Sequence, residues 1–118
     1  MDLDETISVK IDGSGYETAI PKHDVIAKMR QYREIGFEIC IFTARNMRTF
    51  NGNIGKINVH TLPVIIAWLD ENDVPYDEIV VGKPWCGNDG FYVDDRAIRP
   101  NEFVNLSLEE INVLLKNE

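Results

Sequence analysis

Little in this sequence can build a disulfide framework or a thiolate metal site. It holds two cysteines, Cys40 and Cys86, at no redox or metal-ligand spacing. Cys40 lies in an apolar run and Cys86 in a Trp-Cys-Gly loop, and both read as free thiols of a reducing cytoplasm. Long apolar stretches are also lacking, so no segment is predicted to span a bilayer. No charged-then-apolar leader opens the chain. Basic residues are scarce: 12 Lys and Arg stand against 20 Asp and Glu, a net charge of −8. That balance argues against a nucleic-acid surface, which needs clustered cations. A small phosphorylated ligand is still compatible with it, because a divalent cation and a few local cations offset charge at one site. Repeats, low-complexity tracts and linkers are absent too, and residues 1–118 read as one domain.

What the chain has is a core's worth of apolar residues, 44% of the total. Its pattern alternates helix and buried strand. Asp12-Gly13-Ser14-Gly15 is a strong turn signal inside residues 7–20, and the flanking Val9, Ile11, Tyr16 and Ile20 predict a small hairpin or flap. Residues 22–35 predict a helix opened by Pro21, with Val25, Ile26, Met29 and Tyr32 on one face and Gly36 past its end. Residues 37–42 predict a strand covered on both faces. Residues 46–57 read as a loop or an irregular helix start. A helix over 60–72 follows, with Pro63 tolerated only in its first turn or at a kink. Strands over 77–81 and 90–93 come next, and Ser107 with Glu110 forms a capping box for a helix over 108–116. The expected fold is an open α/β domain with a mainly parallel, Rossmann-like sheet and flanking helices.

Four polar signals punctuate this pattern: Asp2-Leu3-Asp4-Glu5-Thr6, Thr43, Lys83 and Asp94-Asp95. The last three each follow an apolar run. Ligands of open α/β sheets bind beyond the carboxyl ends of the strands, so these residues should converge. Two carboxylates about 4 Å apart repel by roughly 4 kcal/mol at an effective dielectric near 20, so a cation is needed to hold the acids together. Magnesium fits, since it takes one or two carboxylates together with phosphate and water. Thr43, the neighbouring backbone N–H of Ala44, and Lys83 supply the donors that phosphoryl oxygens require.

In these motifs the chain resembles the haloacid dehalogenase superfamily of phosphohydrolases, over nearly its whole length. The first motif is matched by Asp2-Leu3-Asp4-Glu5-Thr6 and the second by Ile41-Phe42-Thr43. The third is matched by Lys83 and the fourth by Phe91-Tyr92-Val93-Asp94-Asp95. Residues 43–48 and 82–87 are similar to small bacterial members described as capsular polysaccharide biosynthesis phosphatases. The resemblance implies Asp2 as nucleophile, forming an aspartyl-phosphate, and Asp4 as general acid and base. It implies Thr43 and Lys83 as holders of the phosphoryl group. Magnesium would be held by Asp2, Asp94, Asp95 and the backbone carbonyl of Asp4. Glu5 stands where the family commonly has glycine.

Two departures carry expectations of their own. The family's nucleophile closes a buried apolar strand, whereas only Met1 precedes Asp2 here. The first central strand is therefore expected to be missing from this sequence. A nucleophile so near a chain end is expected to fray, and weak turnover, recovered by adding an apolar strand, follows from that. Residues 7–36 and 44–77 also leave no room for a cap domain, so the site is expected to be open, or covered by a second copy of the chain. Arg45 and Arg48 are placed to read a second anionic or hydroxyl-rich group, and Arg45→Ala is expected to raise KM. The expected activity is a magnesium-dependent phosphatase on a small phosphorylated metabolite such as a sugar phosphate. A catalytically silent interaction domain and a phosphatase of polynucleotide ends are the rival readings.

Overall fold

The computed structural model describes residues 1–117 and is an α/β structure. It divides into two compact units, residues 1–85 and 86–118. The first unit opens with the flap that the turn signal predicts. Strand β1 (Ser8–Val9) pairs antiparallel with β2 (Ile20–Pro21), and a short 3-10 turn, Tyr16–Thr18, lies between them. The buried indole of Trp68 donates to the Ala19 carbonyl at 2.9 Å, which ties the base of the flap down.

Helix α1 (His23–Glu34) follows, with Val25, Ile26 and Met29 buried at helical spacing. It stops at Gly36, whose φ of 105° is the conformation a helix terminus favours. Strand β3 (Cys40–Thr43) and strand β4 (Glu78–Val81) then form a parallel pair, with Cys40 opposite Glu78 and Thr43 opposite Val81. The Asp77 carboxylate accepts from the Ile39 N–H at 2.7 Å and sets the start of that register. Ile41 is fully buried, while Phe42 and Val80, paired across the ladder, are exposed. The strand is therefore covered on one face, not on the two expected.

Between these strands the structure departs from the sequence expectation of one helix over 60–72. Helix α2 (Ile54–His60) and helix α3 (Leu62–Glu71) are separate. The Asn53 side chain caps α2 by accepting from Lys56 N at 3.1 Å, within the stretch read as a loop or an irregular helix start. Pro63 has no N–H to donate and sits in the first turn of α3, the one place in a helix that tolerates it. Leu3, Ile7, Ile41, Ile57, Ile65 and Leu69 make up the deepest part of the core of this unit.

The second unit holds helix α4 (Pro100–Asn105) and helix α5 (Leu108–Lys116). α5 begins with the expected capping box: Ser107 Oγ accepts from Glu110 N, and Glu110 accepts from Ser107 N. α4 was not expected, although Pro100 at its first position and Glu102 accepting from Arg99 N are ordinary start signals. The expected strand over 90–93 is not formed. An apolar run becomes a strand only where another backbone pairs its N–H and C=O groups. Residues 90–93 lie in no helix or strand, and Phe91 and Val93 are exposed.

Candidate active site

Three of the singled-out residues meet at the carboxyl end of the β3–β4 pair. β3 ends on Thr43, which is buried. β4 runs into Gly82, whose φ of 88° turns the chain, and a side chain there would meet Ile54 Cδ1 at 2.5 Å. Glycine is required at that turn, and it delivers Lys83 beside Thr43: the Lys83 N–H donates to the Thr43 carbonyl at 3.1 Å. The Lys83 ammonium then stands 3.6 Å from Asp2 Oδ1.

Asp2 is held more firmly than its position predicts. The Met1 nitrogen donates to the Cys40 carbonyl at 2.8 Å, and the Met1 carbonyl accepts from Phe42 N at 2.7 Å. Met1 thus runs along β3 as a strand residue does, and these two bonds tie down the chain end where fraying is expected from the sequence. Burial lowers the Met1 ammonium below its ordinary 8.0; the neighbouring Cys40 and Asp2 partly counter this, and Lys83 adds to it. Beyond Asp2 the chain closes tightly. The Leu3 carbonyl accepts from the N–H groups of Thr6, Ile7 and Ser8, and Glu5 N donates to the Ser8 carbonyl. Leu3 and Ile7 are buried, so the loop is anchored from below. The Thr6 hydroxyl donates to Asp2 Oδ2 at 3.0 Å and fixes the carboxylate, which keeps 36% of its side chain exposed.

Asp4 has a different partner. Arg45 Nε donates to one of its oxygens at 3.1 Å and an Arg45 terminal nitrogen to the other at 2.8 Å. This is the two-pronged geometry that suits a planar guanidinium. The Arg45 side chain is 1% exposed, and its charge centre lies 4.1 Å from the centre of the Tyr16 ring on the flap. Lys10 reaches the same ring at 4.5 Å. Arg45 N in turn donates to Thr43 Oγ1 at 3.1 Å. The Thr43 hydroxyl therefore accepts from below, and its own proton is left to donate elsewhere. The Ala44 N–H has no main-chain partner among the described residues. Arg48 lies over Trp85, 5.4 Å from a ring that is 46% exposed.

Asp94 and Asp95 lie in the second unit, in an exposed turn where Asp94 Oδ1 accepts from Arg96 N at 2.7 Å. Among the described residues, no group of three or more His, Cys, Asp or Glu side chains gathers closely enough to hold a metal. Within the first unit the donors that suit magnesium are the Asp2 carboxylate and the Asp4 carbonyl, which has no main-chain donor among the described residues. The Asp4 carboxylate is occupied by Arg45. The sequence singled out Arg45 but gave no sign of this pairing, because the partners lie 41 positions apart.

No helix among the described residues is long and apolar enough to cross a membrane. No family model matches the chain, and no curated protein matches it. Among solved structures, the crystal structure of a structural genomics target from Vibrio cholerae matches with a TM-score of 0.94 and 59% sequence identity, over 98% of this chain and 94% of that one. Its description names no activity or ligand. At that identity and coverage, this chain belongs to the same family as the Vibrio cholerae protein.

Proposed function

We propose that this protein is a magnesium-dependent phosphatase of the haloacid dehalogenase type, hydrolysing a small phosphorylated metabolite such as a sugar phosphate in the cytoplasm. The observation that carries the reading is the meeting of Asp2, Lys83 and Thr43 at the carboxyl end of two parallel strands. A solvent-open carboxylate beside an ammonium and a hydroxyl is the set needed to attack phosphorus while steadying its oxygens.

In the first step an Asp2 oxygen forms a bond to phosphorus, the ester P–O bond breaks, and Asp4 gives a proton to the departing oxygen. In the second, Asp4 takes a proton from water as the water oxygen bonds to phosphorus, and the Asp2–phosphorus bond breaks. Lys83 balances the charge on the phosphoryl oxygens, and the Thr43 hydroxyl and Ala44 N–H donate to them. Within the first unit the Asp2 carboxylate and the Asp4 carbonyl would hold magnesium, which would supply charge neutralisation between carboxylate and phosphate. The likeness of residues 43–48 and 82–87 to capsule biosynthesis phosphatases points to a sugar phosphate.

The test is release of phosphate from an aryl phosphate with magnesium, followed by a panel of sugar phosphates. Turnover is expected for the native chain, and Asp2→Asn should abolish it. A folded chain that releases no phosphate would turn the reading to a silent interaction domain. Preference for polynucleotide ends over sugar phosphates would favour the other rival.

A further inference from the structure

We infer that Arg45 is the positioning residue of Asp4, fixing the direction in which that carboxyl meets the leaving group, and that it is not itself a substrate ligand. This rests on the phosphatase reading above and concerns the same site.

Two sides of the guanidinium are already committed, and the rest of it is buried. One edge grips both oxygens of Asp4 at 3.1 and 2.8 Å. One face lies against Tyr16, with 4.1 Å between charge centre and ring centre. The remaining terminal nitrogen is buried and has no hydrogen-bond partner. With 1% of its side chain exposed, Arg45 offers an incoming metabolite almost no surface. Its own backbone is pinned by the bond from its N–H to Thr43 Oγ1. Because a guanidinium is planar and forked, a fixed Arg45 fixes the plane of the Asp4 carboxyl as well. A lysine would supply the charge without that plane. A buried ion pair adds little stability over an apolar pair of the same volume. What Arg45 contributes at this carboxyl is direction, in a reaction where displacements of about 1 Å matter.

An arginine acting through Asp4 must matter only where Asp4 matters. An aryl phosphate expels a stable phenolate and needs little proton help. An alkyl or sugar phosphate expels a poor leaving group and needs it fully. General acid–base help is worth about 100-fold to 10,000-fold. The ratio of kcat/KM for a sugar phosphate to that for p-nitrophenyl phosphate therefore reads the contribution of Asp4. It reports the step in which the ester bond breaks, independently of the later attack by water.

The experiment measures that ratio, with magnesium, in the full chain and in the variants Asp2→Asn, Asp4→Asn, Arg45→Gln and Arg45→Lys. Arg45→Gln should lower kcat/KM on the sugar phosphate by about 100-fold and on the aryl phosphate by less than about 10-fold, mainly through kcat. Arg45→Lys should follow it. The double variant with Asp4→Asn should be no worse than Asp4→Asn alone, as expected for two groups acting as one unit. Equal losses on both substrates, a raised KM with kcat retained, or additive losses would overturn the inference and leave the phosphatase reading standing. If Arg45→Gln does not fold, as judged by thermal unfolding, Arg45→Lys decides the question by the same ratio. A native chain without turnover, or turnover that survives Asp2→Asn, overturns the phosphatase reading itself, and the role of Arg45 falls with it.

Discussion

Glu5 adopts φ 62°, a left-handed conformation that costs an L-residue about 1–2 kcal/mol. The tight return of the chain from Asp4 to Ser8 imposes it. This is a physical reason for the glycine common at that position in the family the motifs resemble. Glycine removes the steric cost but gives up about 0.5–1 kcal/mol of backbone entropy, so Glu5→Gly should raise stability by up to about 1 kcal/mol. Urea unfolding measures this, and a loss of stability would mean that the Glu5 side chain makes a contribution the geometry does not show. At this scale the sequence was legible where a residue's neighbours are close along the chain or fixed by strand register. Thr43 and Lys83 met at the strand ends because both closed apolar runs. The grip of Arg45 on Asp4 was not legible, since long-range side-chain pairs leave no periodic trace.

Helices with capping chemistry were legible and those marked by subtler signals were not. Ser107 and Glu110 announced α5, whereas the single Asn53 cap of α2 was hidden in a polar stretch, and Thr61-Leu62-Pro63 divided what the apolar spacing joined. Strands were legible only where a partner exists: 77–81 found β3, while 90–93 has the composition of a strand and no ladder. The α5 cap carries a pH signature. The bond from Ser107 N holds the Glu110 carboxyl below its ordinary 4.5. A lowered carboxyl contributes stability that is complete above its unfolded value and is lost as pH falls through the folded one. Followed by NMR, the Ser107 amide should therefore shift with a midpoint below 4.5, and α5 should lose order in the same acidic window. A midpoint at or above 4.5 would mean the cap does not hold in solution.

At the scale of the whole molecule there are two compact units, divided between residues 85 and 86, and residues 82–99 on either side of that division hold neither helix nor strand. In the second unit α5 was legible through its capping box while α4 was not; a division at Cys86 has no linker composition to betray it. Exposed backbone outside regular elements is where proteases cut first. Arg96 is exposed in that stretch, and Arg99 is shielded from trypsin by the following Pro100. Limited trypsin digestion should therefore cut first after Arg96, giving fragments 1–96 and 97–118 by mass spectrometry. First cleavage in residues 1–85 would show a looser first unit than its hydrogen bonding implies.

The two indoles of this chain live in opposite surroundings. Trp68 is sealed at 2% exposure, with its nitrogen satisfied by Ala19, while Trp85 stands 46% open two positions after Lys83. Their emission therefore separates by colour and by access to a quencher dissolved in water. The blue, protected component follows the integrity of the interior. The red, quenchable one follows arrivals beside the lysine, so the protein carries its own optical gauge for ligands without any added dye.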